Sequence, residues 1–299
     1  MERVVDNRPV FSSLDGKMEK ELFKDIQTPC YVIDEKQLHS NGEILASVIK
    51  NTGCKILLAQ KAFSNYNFYN ILSEYISGTE ASGMYEARLG AEEMKDKEVH
   101  AFCAAYRDDE FDELLKYADH IVFNSVYQLK KFGYKAKKAG KSIGLRINPE
   151  CSTQTGHEIY DPCAVGSRLG VTRHIWDNEM TDEIISILDT SAACHMPDVI
   201  EMPYTPPLYG ATDSKDKCKY TFRLAGPTCL AGDVIGDYNF KEKLNVDDIL
   251  VFGDMAIYST CKNNTFNGMP LPNIWRRKDG KMEKITNFGY DDFKMRLGK

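Results

Sequence analysis

Between Thr28 and Thr181 short β-rich runs alternate with amphipathic stretches, and this rhythm confines that part of the chain to parallel βα units. Cys30–Ile33, Lys55–Ala59, Val99–Cys103, His120–Phe123 and Ser142–Ile147 read as short buried strands. Between them, Phe68–Tyr75, Glu86–Met94, Glu110–Tyr117 and Ser125–Ala139 carry helical spacing. Barrels of such units bind ligands at the C-terminal ends of their strands, so residues just after these runs are the candidates for chemistry. After Ile187 the character changes. Pro203, Pro206, Pro207, Pro227, Pro270 and Pro272 punctuate runs such as Lys219–Leu224 and Asp248–Phe252, which read as antiparallel strands. The expected architecture is an α/β part over residues 1–182 and a mostly antiparallel β domain over residues 183–299.

With 299 residues, 42% of them hydrophobic, the chain can build a proper core, which excludes disorder. Its 38 basic and 44 acidic side chains leave a net charge of −6, which argues against a nucleic-acid surface and suits a small cationic substrate. The nine cysteines are scattered without a C-x-x-C pair, so neither a disulfide framework nor a zinc ribbon is expected, no metal is expected, and a reducing cytoplasm fits best. An acidic N-terminus without an apolar segment, and no apolar run of about 18 residues anywhere, point away from export and from a membrane.

Lys61 directly follows Ile56–Gln60, where a barrel places catalytic groups and where partial desolvation would make an amine nucleophilic. Glu80 begins Glu80–Glu86, which ends a further strand, and Arg146 closes another. In the β-rich half, glycines flank the loop Gly226–Asp233, exposing Cys229 as a candidate acid/base group with Asp233 nearby. Tyr258 precedes Asn263–Gly268 and is suited to hydrogen-bond a phosphate. Singly, each has a plainer reading: a solvated lysine, a capping acid, an ion-paired arginine, a small buried thiol, a satisfied tyrosine. Their joint placement gives the set its weight.

Taken in order, Ala59–Ala62, Glu80–Glu86, Leu145–Ile147, Ser167–Val171, Gly226–Cys229 and Met255–Tyr258 with Thr265–Gly268 resemble the fold-type III pyridoxal-phosphate decarboxylases, the relatives of ornithine and diaminopimelate decarboxylase. Thr28–Asp34, Leu188–Asp198 and Ala231–Asp237 resemble more closely their carboxynorspermidine (carboxyspermidine) decarboxylase branch in bacterial polyamine synthesis. The resemblance implies a pyridoxal 5'-phosphate-binding (β/α)8-type barrel and a carboxy-lyase that releases norspermidine or spermidine. It makes Lys61 the lysine that forms the imine with the cofactor, sets Glu80 close to that imine, Arg146 beneath the cofactor and Tyr258 on its phosphate. It further implies a head-to-tail homodimer in which Cys229, with Asp233 nearby as a substrate-binding residue, serves the other subunit's site, while Asp198 and Glu201 bind amines of a polyamine.

The chain departs from that family in one large respect. Its barrel-like text covers about 150 residues, about five units, against about 250 for a closed eight-unit barrel. About three units, roughly 80 residues, are therefore absent between Thr181 and Ile187. With them go the family's H-x-H element, its adjacent-glycine phosphate loop and its E-P-G acid. Such a chain reads either as a shortened decarboxylase or as a non-catalytic paralogue or partner subunit of a full-length one. A racemase sharing the barrel fits Gly226–Cys229 less well.

Overall fold

A computed structural model describes residues 27, 31–152, 161–164, 167–173, 185–212, 218–256, 258–279 and 281–298. Five strands form a parallel sheet in chain order: β1 (Leu57–Ala59), β2 (Gly78–Ala81), β3 (Glu98–Phe102), β4 (His120–Phe123) and β5 (Ser142–Leu145). The helices are α1 (Glu35–Thr52), α2 (Tyr69–Ser73), α3 (Met84–Glu93), α4 (Asp108–Tyr117) and α5 (Val126–Lys138). The expected βα rhythm is present from Lys55 to Leu145. The expected strand at Cys30–Ile33 is not formed at Tyr31–Ile33, with Cys30 outside the described residues. Tyr31 and Val32 are exposed, and the run instead delivers Asp34, whose side chain accepts the Gln37 N–H at 3.2 Å and caps α1.

Strand alternation divides the sheet into two faces. Val99, Ala101, Ile121 and Phe123 point to the helices and bury themselves among Phe111, Leu114, Phe132 and Ala136. Glu98, His100, Phe102, His120 and Val122 point the other way and are only partly buried. In a closed barrel that second face is the filled interior. An isolated parallel bridge from Ile147 to Val171 continues the sheet past β5.

The second sheet comprises β6 (Ile185–Ile187), β7 (Tyr220–Ala225) and β8 (Val234–Phe240). β6 runs parallel to β7, and β7 antiparallel to β8, so this sheet is mixed. Asp248–Phe252, expected as a strand, makes only one bridge, from Phe252 to Leu208, and leaves Ile249 and Val251 exposed. Two short helices, α6 (Ala192–His195) and α7 (Asp198–Glu201), precede β7, and α8 (Tyr258–Lys262) follows β8. A solvated hairpin of β9 (Trp275–Lys278) and β10 (Lys281–Lys284) leads to α9 (Tyr290–Met295). α9 returns to the first half: Tyr290 and Phe293 join Tyr66, Tyr69 and Leu89 in one core. Among the described residues no helix is long and apolar enough to cross a membrane.

The halves are tied through a buried carboxylate. Asp233 is fully buried and accepts from the Ser191 hydroxyl at 3.0 and 2.9 Å, the Ala193 N–H at 3.1 Å, the Thr228 N–H at 3.1 Å and the Thr228 hydroxyl at 2.6 Å. Arg168, from the segment after β5, lies 4.0 Å from Asp233 and donates to the carbonyls of Thr228, at 2.7 Å, and Leu230. Gly226 leaves room for this carboxylate, since a Cβ there would stand 2.3 Å from Asp233 Oδ2. Asp233→Ala leaves the buried Arg168 without its counter-charge and the Ser191 and Thr228 donors without their acceptor, so it should lower the unfolding free energy by about 3–5 kcal/mol. Urea unfolding midpoints check this, and Gly226→Ala should shift the midpoint in the same direction.

Candidate active site

The turn after β1 carries Lys61. Gln60, fully buried, fixes that turn: its N–H donates to the Glu80 carbonyl at 3.1 Å, its side-chain amide to the Glu86 carbonyl at 2.8 Å, and its side-chain oxygen accepts the Tyr69 hydroxyl at 3.2 Å. Lys61 itself is exposed, so the desolvation expected of it is not provided within one chain. Glu80 sits on β2 opposite Ala59 and His100. Burial raises its pKa, and the positive charges of Lys61, Arg146 and His100 oppose that rise. Arg146 follows β5 with its guanidinium carbon 4.6 Å above the centre of the Phe102 ring. Two of the strand-end residues expected to act together, Lys61 and Arg146, are thus within electrostatic reach of the third, Glu80.

A fourth member went unnoticed in the sequence. Glu86, in the first turn of α3, is 1% exposed, and its Oε2 accepts the Ser82 N–H at 2.6 Å. Burial, reinforced by the negative charge of Glu80, pushes its pKa up to about 8, while the Ser82 bond and Lys61 pull the other way. The available signal was a glutamate three residues into a helix that begins directly at a strand end. Asn267 and Gly268 close over this corner: Asn267 accepts the Cys229 N–H at 2.8 Å, and Gly268, at φ +66°, would place a Cβ 2.9 Å from the Glu86 nitrogen.

Cys229 was expected to serve a second subunit's site. In one chain it lies within electrostatic reach of Arg146 and Arg168. Asp233, expected near the substrate, has both oxygens engaged by protein donors. Asp198, Glu201 and Tyr258 form a separate cluster. Asp198 accepts the Tyr204 hydroxyl at 2.6 Å, Glu201 pairs with Lys262 at 2.5 Å, and the Lys262 ammonium lies 5.8 Å from the Tyr258 ring centre. Tyr258 is 68% exposed, with the Lys262 ammonium as the charge beside its ring. The residues present fit the aldehyde end of pyridoxal phosphate, where an amine is flanked by two acids and an arginine. For its phosphate and ring-nitrogen ends the sequence has no H-x-H element, no adjacent glycines and no E-P-G.

Residues 158–256 match the family model described as pyridoxal-dependent decarboxylase, C-terminal sheet domain. The carboxynorspermidine/carboxyspermidine decarboxylase of Campylobacter jejuni is 31% identical to this chain, with 92% of the chain and 99% of the relative covered. The carboxyaminopropylagmatine decarboxylase of a Synechocystis species is 29% identical, with 94% and 98% covered. The crystal structure of the Campylobacter jejuni carboxynorspermidine decarboxylase complexed with norspermidine is 30% identical, covers 91% of this chain and 100% of that one, and has a TM-score of 0.46. The first alignment runs over 384 positions, whereas 92% of 299 residues is about 275, so about 110 positions have no counterpart in this chain. The shortfall exceeds the roughly 80 residues that unit counting gives.

Glu86 supplies a test of the site's electrostatics. An acid whose folded pKa is raised binds more protons folded than unfolded, so its contribution is intact below the unfolded pKa near 4.5 and is lost as pH rises toward about 8. Glu86→Gln keeps the acceptor for Ser82 and removes this slope. The wild type should therefore lose stability relative to Glu86→Gln between pH 5 and pH 8, read from urea midpoints of both proteins across that range.

Proposed function

Because the chain belongs to the pyridoxal-dependent decarboxylase family that includes the carboxynorspermidine/carboxyspermidine decarboxylases, we propose that it acts on a carboxylated polyamine, releasing carbon dioxide to leave norspermidine or spermidine. The juxtaposition of Lys61, Glu80, Glu86 and Arg146 at the strand ends carries this reading. Pyridoxal phosphate, when bound, supplies the electron sink for the broken bond. The chain's own groups have simpler tasks. Lys61 offers the primary amine for attachment. Glu80 balances charge at that amine, and Glu86, with a pKa of about 8, can hold or yield a proton near neutral pH. Arg146 would support the cofactor from beneath, and Cys229 supplies the proton that takes the place of the departed carboxylate. Asp198 and Glu201 attract the ammonium groups of the substrate's tail, in keeping with the chain's acidity. Asp233 supports the Cys229 loop through Thr228. A cytoplasmic homodimer with an α/β part over 1–182 and a β domain over 183–299 completes the proposal.

A second reading has its own support. About 110 aligned positions are absent, and the chain has no H-x-H element and no adjacent glycines to hold the ring and phosphate. Such a chain would serve as the non-catalytic partner of a full-length decarboxylase.

Borohydride reduction with pyridoxal phosphate, followed by peptide mapping, should label Lys61 well above the other lysines, and Lys61→Ala should lose that label. Carbon dioxide release from carboxynorspermidine or carboxyspermidine should fall at least a hundredfold in Lys61→Ala. Labelling without release, together with co-purification of a full-length homologue, would establish the second reading. Equal labelling of all lysines would overturn the first.

A further inference from the structure

The inner face of the five-stranded sheet carries a group of side chains that the proposed decarboxylation does not use. Glu98 and His100 are two residues apart on β3 and share a face. His120 begins β4 and stands in register with His100. The two imidazoles stack with centroids 4.0 Å apart and planes 20° from parallel. Both Nε2 atoms approach one oxygen: Glu98 Oε2 is 3.1 Å from His100 and 3.7 Å from His120. The other carboxylate oxygen is held by the Lys55 ammonium.

We propose that Glu98, His100 and His120 form a binding site for a divalent first-row transition-metal ion of the zinc class. Two imidazoles and one carboxylate are a donor set that such ions take, with at least one position left for water or a ligand. The spacing agrees. Ligand atoms about 2.0–2.1 Å from a tetrahedral ion lie about 3.4 Å apart, and the two distances from Glu98 Oε2 bracket that value. All three donor atoms lie within 4.8 Å of one another, and turning the two stacked rings so that both Nε2 lone pairs converge brings the donors onto one ion. Lys55 holds Oε1 and turns Oε2 toward the two Nε2 atoms, which makes it an outer-shell partner that orients the carboxylate rather than a competitor for the metal. All three ligand side chains are partly exposed, giving an ion a path from solvent. His100 also lies within electrostatic reach of Glu80, so an ion there adds positive charge one strand away from the Lys61 corner. Nothing in residue spacing along the chain signals this site, because its third ligand comes from the neighbouring strand.

Calorimetric titration with zinc chloride under reducing conditions tests the proposal on the full chain. The wild type should bind one equivalent more than His100→Ala or His120→Ala, while zinc taken up by cysteines is common to all three. Zinc should raise the melting temperature of the wild type, and should do so less in both variants. Glu98→Gln, which preserves shape, should weaken the site at least tenfold, and Lys55→Ala should do so more mildly. Cobalt(II) bound at this site should show visible bands that either histidine variant abolishes. Equal zinc stoichiometry and equal melting shifts in wild type and Glu98→Gln would overturn the proposal, whether or not the histidine variants fold.

Discussion

The buried carboxylate of Asp233 is the constraint on which the arrangement of this chain depends. A charge with no exposure is tolerable only when protein donors replace water, and Asp233 collects them from Ser191 and Ala193 at the start of α6 and from Thr228 in the loop after β7, with the Arg168 charge of the first half 4.0 Å away. Those bonds fix where the Gly226–Asp233 loop sits. The loop in turn places Cys229, whose N–H is held by Asn267, and Asn267 closes over Glu86. One satisfied ion therefore sets the register between the mixed sheet and the strand ends of the parallel one.

The incomplete barrel has a physical consequence that its composition conceals. A parallel sheet is normally covered on both faces. In this chain the helices cover one face with an apolar layer, while the other bears Glu98, His100, His120 and Glu80 with Phe102 and Val122, all partly buried. The polar character of that face makes its exposure less costly than an apolar interior would be. It also gathers titratable groups that a closed interior would hold apart from solvent.

Much of this was legible in the residue order. Short β-rich runs at regular spacing gave β1, β3, β4 and β5, and the strand-end rule singled out Lys61, Glu80 and Arg146, which the fold brings together. What escaped depended on contacts distant in sequence. Glu86 looked like an ordinary first-turn acid, and only burial under the Asn267–Gly268 turn makes it a group titrating near pH 8. Asp248–Phe252 had the pattern of a strand, yet its one β-bridge is to Leu208, because pairing needs a partner edge and not just β-prone residues. Asp233 looked available for substrate because glycine-flanked loops usually expose their side chains; the missing Cβ of Gly226 instead admits the carboxylate to the interior.

The remaining tension lies between the two clusters of acids. Glu80 and Glu86 gather at Lys61, whereas Asp198 and Glu201 lie beside Lys262 and Tyr204, with contacts that stay among themselves. A long polycation is suited to such an arrangement, since its amines are separated by several methylenes and can satisfy acids that are far apart. Lys262 already supplies one ammonium to Glu201 across an exposed ion pair, which is weak enough to be exchanged for a ligand amine. The two groups of acids are thus built differently: one is enclosed by the fold, the other exposed and paired with a replaceable cation.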